Sequence, residues 1–203
     1  MELLDRLPGS QVAFLTRTSL LDRLCGPLCD AVLGSTDSAS ILETLERTNM
    51  LVVPLDGHHH WYRYHHLFRQ LLRSDIEQRE PAKAAVLLRR AAQWSEENGD
   101  PEAAIRYAQA AGDDERVARI VPLQAQPFFA NGHADTVEMW FDWLREHSTI
   151  DRYGAAAPLA VWIHALRGHP AEAERWAEII DEAAAAAGRA GARAHQPAAG
   201  LAA

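Results

Sequence analysis

The sequence predicts a mainly α-helical protein, with one short β-hairpin early in the chain and antiparallel helical hairpins after it. Three observations lead there. A glycine turn followed by an amphipathic helix is written three times, as NGDPEAAIRYA at 98–108, NGHADTVEMWF at 131–141 and RGHPAEAERWA at 167–177. The glycines of these turns, Gly99, Gly132 and Gly168, stand 33 and 36 residues apart, the unit length of stacked helix pairs. Before the first repeat, helical stretches give way to alternating bulky and polar residues around an Asp-Gly turn, the pattern of a ribbon.

Residues 1–80 form the first predicted domain, with short helical stretches around 10–33 and a longer helix over about 38–49. Gly26-Pro27 splits the earlier stretch, and Ser40 with Glu43 has the spacing of a capping box at the start of the later helix. Leu51, Val52 and Val53 run into Pro54, and Trp61 to Tyr64 return beyond Asp56-Gly57 as the second half of a hairpin. Three short helices followed by a β-hairpin describe a winged helix.

Residues 81–188 form the repeats. The second helix of each pair carries an apolar comb: Ala104, Tyr107, Ala108 and Ala111; then Val137, Trp140, Phe141 and Leu144; then Ala173, Trp176, Ala177 and Ile180. The helices before the glycines bury Leu87, Ala91 and Trp94; Val117, Ile120 and Val121; and Leu159, Trp162, Ile163 and Leu166. Pro122 and Pro127 predict a kink or an early end in the middle pair. Tryptophans 94, 140, 143, 162 and 176 are expected mostly in the core. From about 183 only small residues remain, so 189–203 is expected to be a disordered Ala/Gly-rich tail, leaving the face of the last helix partly uncovered.

Of 203 residues, 48% are hydrophobic, enough to fill real cores. The net charge of -8 is spread along the chain, and neither half reads as a basic nucleic-acid surface. No long apolar run or leader pattern stands out, so a cytoplasmic protein with no membrane partner is expected. Cys25 and Cys29 read as a buried pair rather than as functional thiols.

In order and spacing, FLTRTSLLDRLCGPLCDAV, LETLERTNMLVVPLD and WYRYHHLFRQLLR resemble the large ATP-dependent LuxR-type transcriptional regulators of the MalT type. The resemblance runs over about residues 10–180 and continues through Arg90–Asp113. It implies an order of signal-transduction ATPase domain, winged helix, tetratricopeptide-like superhelix that senses an inducer, and DNA-binding helix-turn-helix. This chain corresponds to the winged helix and first repeats, as a truncated, excised or separately encoded piece. No G-x-x-x-x-G-K-[ST] phosphate loop occurs in it, so no cofactor is expected here, and ATP or ADP belongs to an upstream domain. Gly99, Ala104 and Ala111 match the small positions of the tetratricopeptide motif. The later pairs carry Val137, Leu144 and Ile180 among the corresponding positions and are expected to pack more loosely or at other angles.

Tyr64-His65-His66-Leu67 falls where related ATPases carry a Met-His-Asp-Leu motif. By that resemblance His65 is the candidate nucleotide-sensing residue, reaching the β-phosphate of ADP when an ATPase domain is present. The five histidines 58, 59, 60, 65 and 66 are not expected to bind metal, because strand alternation turns His59 away from its neighbours and adjacent helical positions diverge. No catalytic residue is identified, and the protein is expected not to be an enzyme. The reading is a non-catalytic regulatory segment. Its winged helix docks on an ATPase module and its repeats bind an inducer or protein partner. The alternative is a stand-alone DNA-binding winged helix. Against it, the reading helix around DSASILETLERTN carries Asp37, Glu43 and Glu46 with only Arg47 in opposition.

Overall fold

A computed structural model of the chain describes residues 8–48, 52–147 and 154–194. Ten helices and one two-stranded antiparallel hairpin among these residues make the fold mainly α, as the periodicity predicts. Leu51 and residues 195–203 lie outside the described residues. The chain packs as two compact units, Met1–Asp113 and Asp114–Ala203.

In the first unit α1 (Gly9–Thr18), α2 (Gly26–Leu33) and α3 (Ser38–Arg47) precede β1 (Val52–Pro54) and β2 (Tyr62–Tyr64), and α4 (His66–Arg79) follows. Val52 pairs with Tyr64 and Pro54 with Tyr62. This register turns Val52, Tyr62 and Tyr64 inward and leaves Val53 and Arg63 outside. Leu24, just ahead of α2, adds a bridge to β2 through two backbone hydrogen bonds of 2.8 Å with Tyr62. A single bridged residue has no alternation to read, so this bridge leaves no mark in the sequence pattern. Phe14, Leu15, Leu28, Leu42, Leu45 and Leu72 close the core around the hairpin, together with Cys25 and Cys29, which are free and buried. Burial pushes both thiols above their ordinary range, so neither is a ready nucleophile.

The start of α3 differs from expectation. The helix begins at Ser38, itself buried, and Ser40 lies inside it on the exposed side, so Ser40 and Glu43 form no capping box. The cap comes from α2. Asp30 Oδ1 accepts from the Ser38 backbone N–H and from Ser35 Oγ, each at 3.1 Å. A carboxylate from the preceding helix thus satisfies one of the orphan amides at the N-terminus.

The first helical pair, α5 (Pro81–Glu97) and α6 (Pro101–Ala110), packs within this same unit. The repeat region begins at Pro81 in chain order, yet several contacts tie its first pair to the winged helix. Asp22 receives Arg69 from α4 at 2.5 Å and Arg106 from α6 at 2.6 Å, and its backbone N–H donates to Tyr107 Oη at 3.0 Å. Arg90 Nη1 donates to the Val32 carbonyl at 3.0 Å, and Arg23 pairs with Asp100.

The second unit contains α7 (Asp114–Ala130), α8 (Ala134–His147), α9 (Ala157–Leu166) and α10 (Pro170–Ala194). The three predicted turns share one construction. Gly99, Gly132 and Gly168 have φ of 76°, 87° and 76°, and the next residue donates its N–H to the carbonyl of Ser95, Phe128 and His164 respectively at 2.9–3.0 Å. That is the Schellman closure, which a glycine reaches without steric cost. The combs of α6 and α8 are buried throughout, whereas on α10 only Trp176 is fully buried and Ala173, Ala177 and Ile180 are half-buried. The last helix therefore does carry a partly uncovered apolar face.

Four expectations are corrected here. α7 runs unbroken through Pro122 and Pro127 to Ala130, so neither proline ends it. On α9 the sequence pointed to the wrong face: Trp162 and Leu166 are exposed, and Ala157, Ala160, Ile163 and His164 are buried. This helix is apolar nearly all round, so spacing alone cannot select its inner side. Looser packing is seen for α7 and α8 and not for α9 and α10, whose backbones contact each other about as extensively as those of α5 and α6. Finally, α10 extends to Ala194, past residue 188, since alanine is the strongest helix former and propagates a helix without an apolar comb.

Candidate functional site

The exposed face of α3 is where a DNA-reading winged helix would meet the groove. Here it presents Asp37, Ala39, Ser40, Glu43 and Thr44 with Arg47. Ala39 and Glu43 also line a mainly apolar cavity of about 390 Å³, whose other walls include Gly26, Trp61 of the hairpin and Trp94 of α5. The two indoles meet edge to face at 6.4 Å, and the Arg23 guanidinium lies 4.4 Å from the Trp61 ring centre. Gly26 permits this arrangement, because a Cβ there would stand 2.9 Å from the Ala39 Cβ. Trp94 of α5 thus borders the same cavity as Ala39 and Glu43 of α3.

The hairpin loop is organised by Asp56. Its carboxylate accepts from the backbone N–H of His58, His60 and Trp61 at 3.2, 3.0 and 3.2 Å, which holds it below the usual carboxylate range. His58, His59 and His60 are exposed; His59, at φ 55°, turns to Glu46 of α3 at 2.7 Å, while the rings of His58 and His60 lie 6.0 Å apart. His59 therefore separates from its neighbours, but through the left-handed backbone of the turn rather than strand alternation, since 58–60 lie between the two strands.

His65 is exposed and caps the N-terminus of α4 rather than lying within the helix. Its ring stands 4.7 Å from that of His66, so the expected divergence of two adjacent helical positions does not occur. Tyr64 beside it is fully anchored: its Oη lies 2.6 Å from Thr18 Oγ1, which donates to the Phe14 carbonyl at 2.7 Å. One residue of the Tyr64-His65 pair is locked into the core and the next is presented outward.

No three of the five hairpin histidines converge as ligands among the described residues. The trio that does converge lies in the second unit and was missed: Glu138 of α8, His164 of α9 and His169 of the turn after it. The available signal was two histidines five apart across a glycine turn.

A family model described as the MalT winged helix domain matches residues 1–84. Residues 1–84 form a MalT winged helix domain. Over 137 residues, 68% of this chain, the sequence is 31% identical to the HTH-type transcriptional regulator MalT of Vibrio cholerae and equally to that of Vibrio parahaemolyticus. Over 118 residues, 58% of this chain, it is 33% identical to the serine/threonine-protein kinase PknK of Mycobacterium tuberculosis. The chain spans 15% of the length of these MalT regulators and 11% of that of the kinase. The chain is thus similar to MalT-type regulators and, over a somewhat shorter stretch, to this kinase. No helix of the described residues is long and apolar enough to cross a membrane.

Proposed function

We propose that this chain is a non-catalytic regulatory segment of a MalT-type, LuxR-family transcriptional regulator. In this reading the winged helix docks on an ATPase module and the helical repeats receive an inducer or a protein partner. The observation that carries it is the surface of α3: an acidic face whose Ala39 and Glu43 share an apolar cavity with Trp94 of α5. Phosphates are repelled by that charge. Protein docking suits the same surface, since aromatic and arginine side chains there supply anchors of the kind that dominate interfaces.

His65 is assigned to nucleotide sensing within that assembly. It is exposed at the start of α4 while Tyr64 fixes the backbone immediately before it. An imidazole so placed can donate to a phosphate oxygen presented by another domain. Supplied with its ATPase module, the His65→Ala variant releases ADP faster than the parent; an unchanged release rate removes His65 from this role.

Two assays on the purified chain test the wider reading. Fluorescence anisotropy with duplex DNA shows no saturable, salt-sensitive binding, and phosphate release from ATP stays at the buffer level. Saturable binding that weakens with salt would restore the stand-alone DNA-binding alternative.

A further inference from the structure

Glu138, His164 and His169 come from two helices and a turn of the second unit, and one ligand atom from each lies within 4.8 Å of the other two. The Schellman turn after α9 makes this convergence. Its closing bond, from the His169 N–H to the His164 carbonyl at 2.9 Å, brings the two imidazoles to a ring separation of 6.1 Å. Glu138 Oε1 then sits between them, 3.0 Å from His169 Nδ1 and 3.4 Å from His164 Nδ1.

His164 is the unexplained member. It is 3% exposed, and neither ring nitrogen has a hydrogen-bond partner. Buried polar atoms are ordinarily satisfied, and each exception calls for a cause. Apolar packing does not supply one, because α9 is otherwise lined inward by alanine and Ile163. Two imidazoles and a carboxylate are the ligand types that zinc and neighbouring first-row divalent ions take. In a tetrahedral zinc site with bonds of about 2.0–2.1 Å, ligand atoms stand about 3.3 Å apart. The two measured separations bracket that spacing.

We propose that Glu138, His164 and His169 bind a zinc-class divalent cation that fastens α8 to the turn between α9 and α10. The imidazoles bind as neutral groups through Nδ1, with their protons on Nε2, and Glu138 supplies the third ligand. His169 is exposed, which leaves a fourth position open to water. Arg167 Nε also approaches Glu138 Oε1, at 3.3 Å, while its Nη1 pairs with Asp135 at 2.9 Å. On ion binding the arginine gives up Glu138 and keeps Asp135, so no charge is stranded. The site serves the repeats and does not depend on the docking or sensing roles proposed above.

The full chain, stripped with chelator and dialysed against limiting zinc, tests this by elemental analysis, by the d–d spectrum of its cobalt(II) form and by thermal melting. One ion per chain, a tetrahedral cobalt spectrum and a zinc-dependent rise in Tm are expected. Removal of an exposed ligand in His169→Ala weakens retention by about tenfold or more and abolishes the rise, and Glu138→Gln does the same. A variant with alanine at His58, His59, His60, His65 and His66 keeps the ion. No retained ion, retention unchanged by His169→Ala, or loss in the five-histidine variant would overturn the proposal.

Discussion

The first and third helical pairs bend through the same glycine turn, and the helices within each contact one another about as extensively, yet the contact is filled in different ways. In the first, small residues are buried on both helices: Ala84, Ala91 and Ala92 on α5, and Ala103, Ala104 and Ala108 on α6. In the third they are concentrated around α9, at Ala156, Ala157 and Ala160, and α10 answers with the fully buried Trp176. Close approach of two backbones needs a small total volume between them, and it does not matter which helix supplies the small side chains. The polar inventory differs as well. The first pair directs its charges to the winged helix, through Arg90, Asp100 and Arg106, whereas the third turns a histidine of α9 toward Glu138 of α8, in the pair before it.

The largest expected effect tests whether the third pair truly hangs on one side chain. Trp176→Ala removes a fully buried indole of α10 that meets Phe141 of α8 edge to face, and costs about 3–5 kcal/mol by urea unfolding of the second unit. Trp162→Ala, on the exposed face of the same pair, changes stability by only about 0.5 kcal/mol. Equal effects would show that the inner face of α9 is wrongly placed.

Close approach in the first unit is tested at Gly26. A methyl group there meets the Ala39 Cβ at 2.9 Å, so Gly26→Ala destabilises the winged helix by about 1–3 kcal/mol. The same variant narrows the cavity beside Trp61, and weaker quenching of its fluorescence by acrylamide reports it. A smaller loss, about 1 kcal/mol, is expected of Tyr64→Phe, which removes the partner of Thr18 Oγ1 while that hydroxyl keeps its bond to the Phe14 carbonyl. An unchanged unfolding midpoint would mean that the buried hydroxyl pair contributes nothing.

The mildest perturbation is acid. Three amide donors depress Asp56, so its folded value lies below its unfolded one. Its contribution to the hairpin is present above the ordinary aspartate range of about 4 and disappears as pH falls through the depressed folded value. A carboxyl titration followed by NMR should place Asp56 below the ordinary aspartate value of about 4; a midpoint at or above that value would contradict the three-donor geometry.

The order of helices and hairpin, the three turns and the combs of α6 and α8 were legible because each rests on local chemistry: a left-handed glycine, a proline at a helix start, a period of 3.6. The inner face of α9 was not, since AVWIHAL offers apolar residues in every direction and only the partner decides. Nor was the cap on α3, where the carboxylate comes from Asp30 on the preceding helix. For the sites, the place of His65 at the N-cap of α4, outside the helix, was not legible, because the boundary falls one residue after it and no side-chain capping signal marks it. The trio of Glu138, His164 and His169 stayed hidden because its members belong to different elements and the crowd of histidines near residue 60 drew attention away. Composition marks where a residue type is abundant, and geometry marks where it converges.

The Asp56 loop has a practical side. Because one carboxylate ties up three amides on its own segment, the tip holds its shape with little help from the side chains of His58 and His60. It is therefore a natural insertion point for a fluorophore or an epitope, one that would report on whatever approaches the domain while leaving its interior undisturbed.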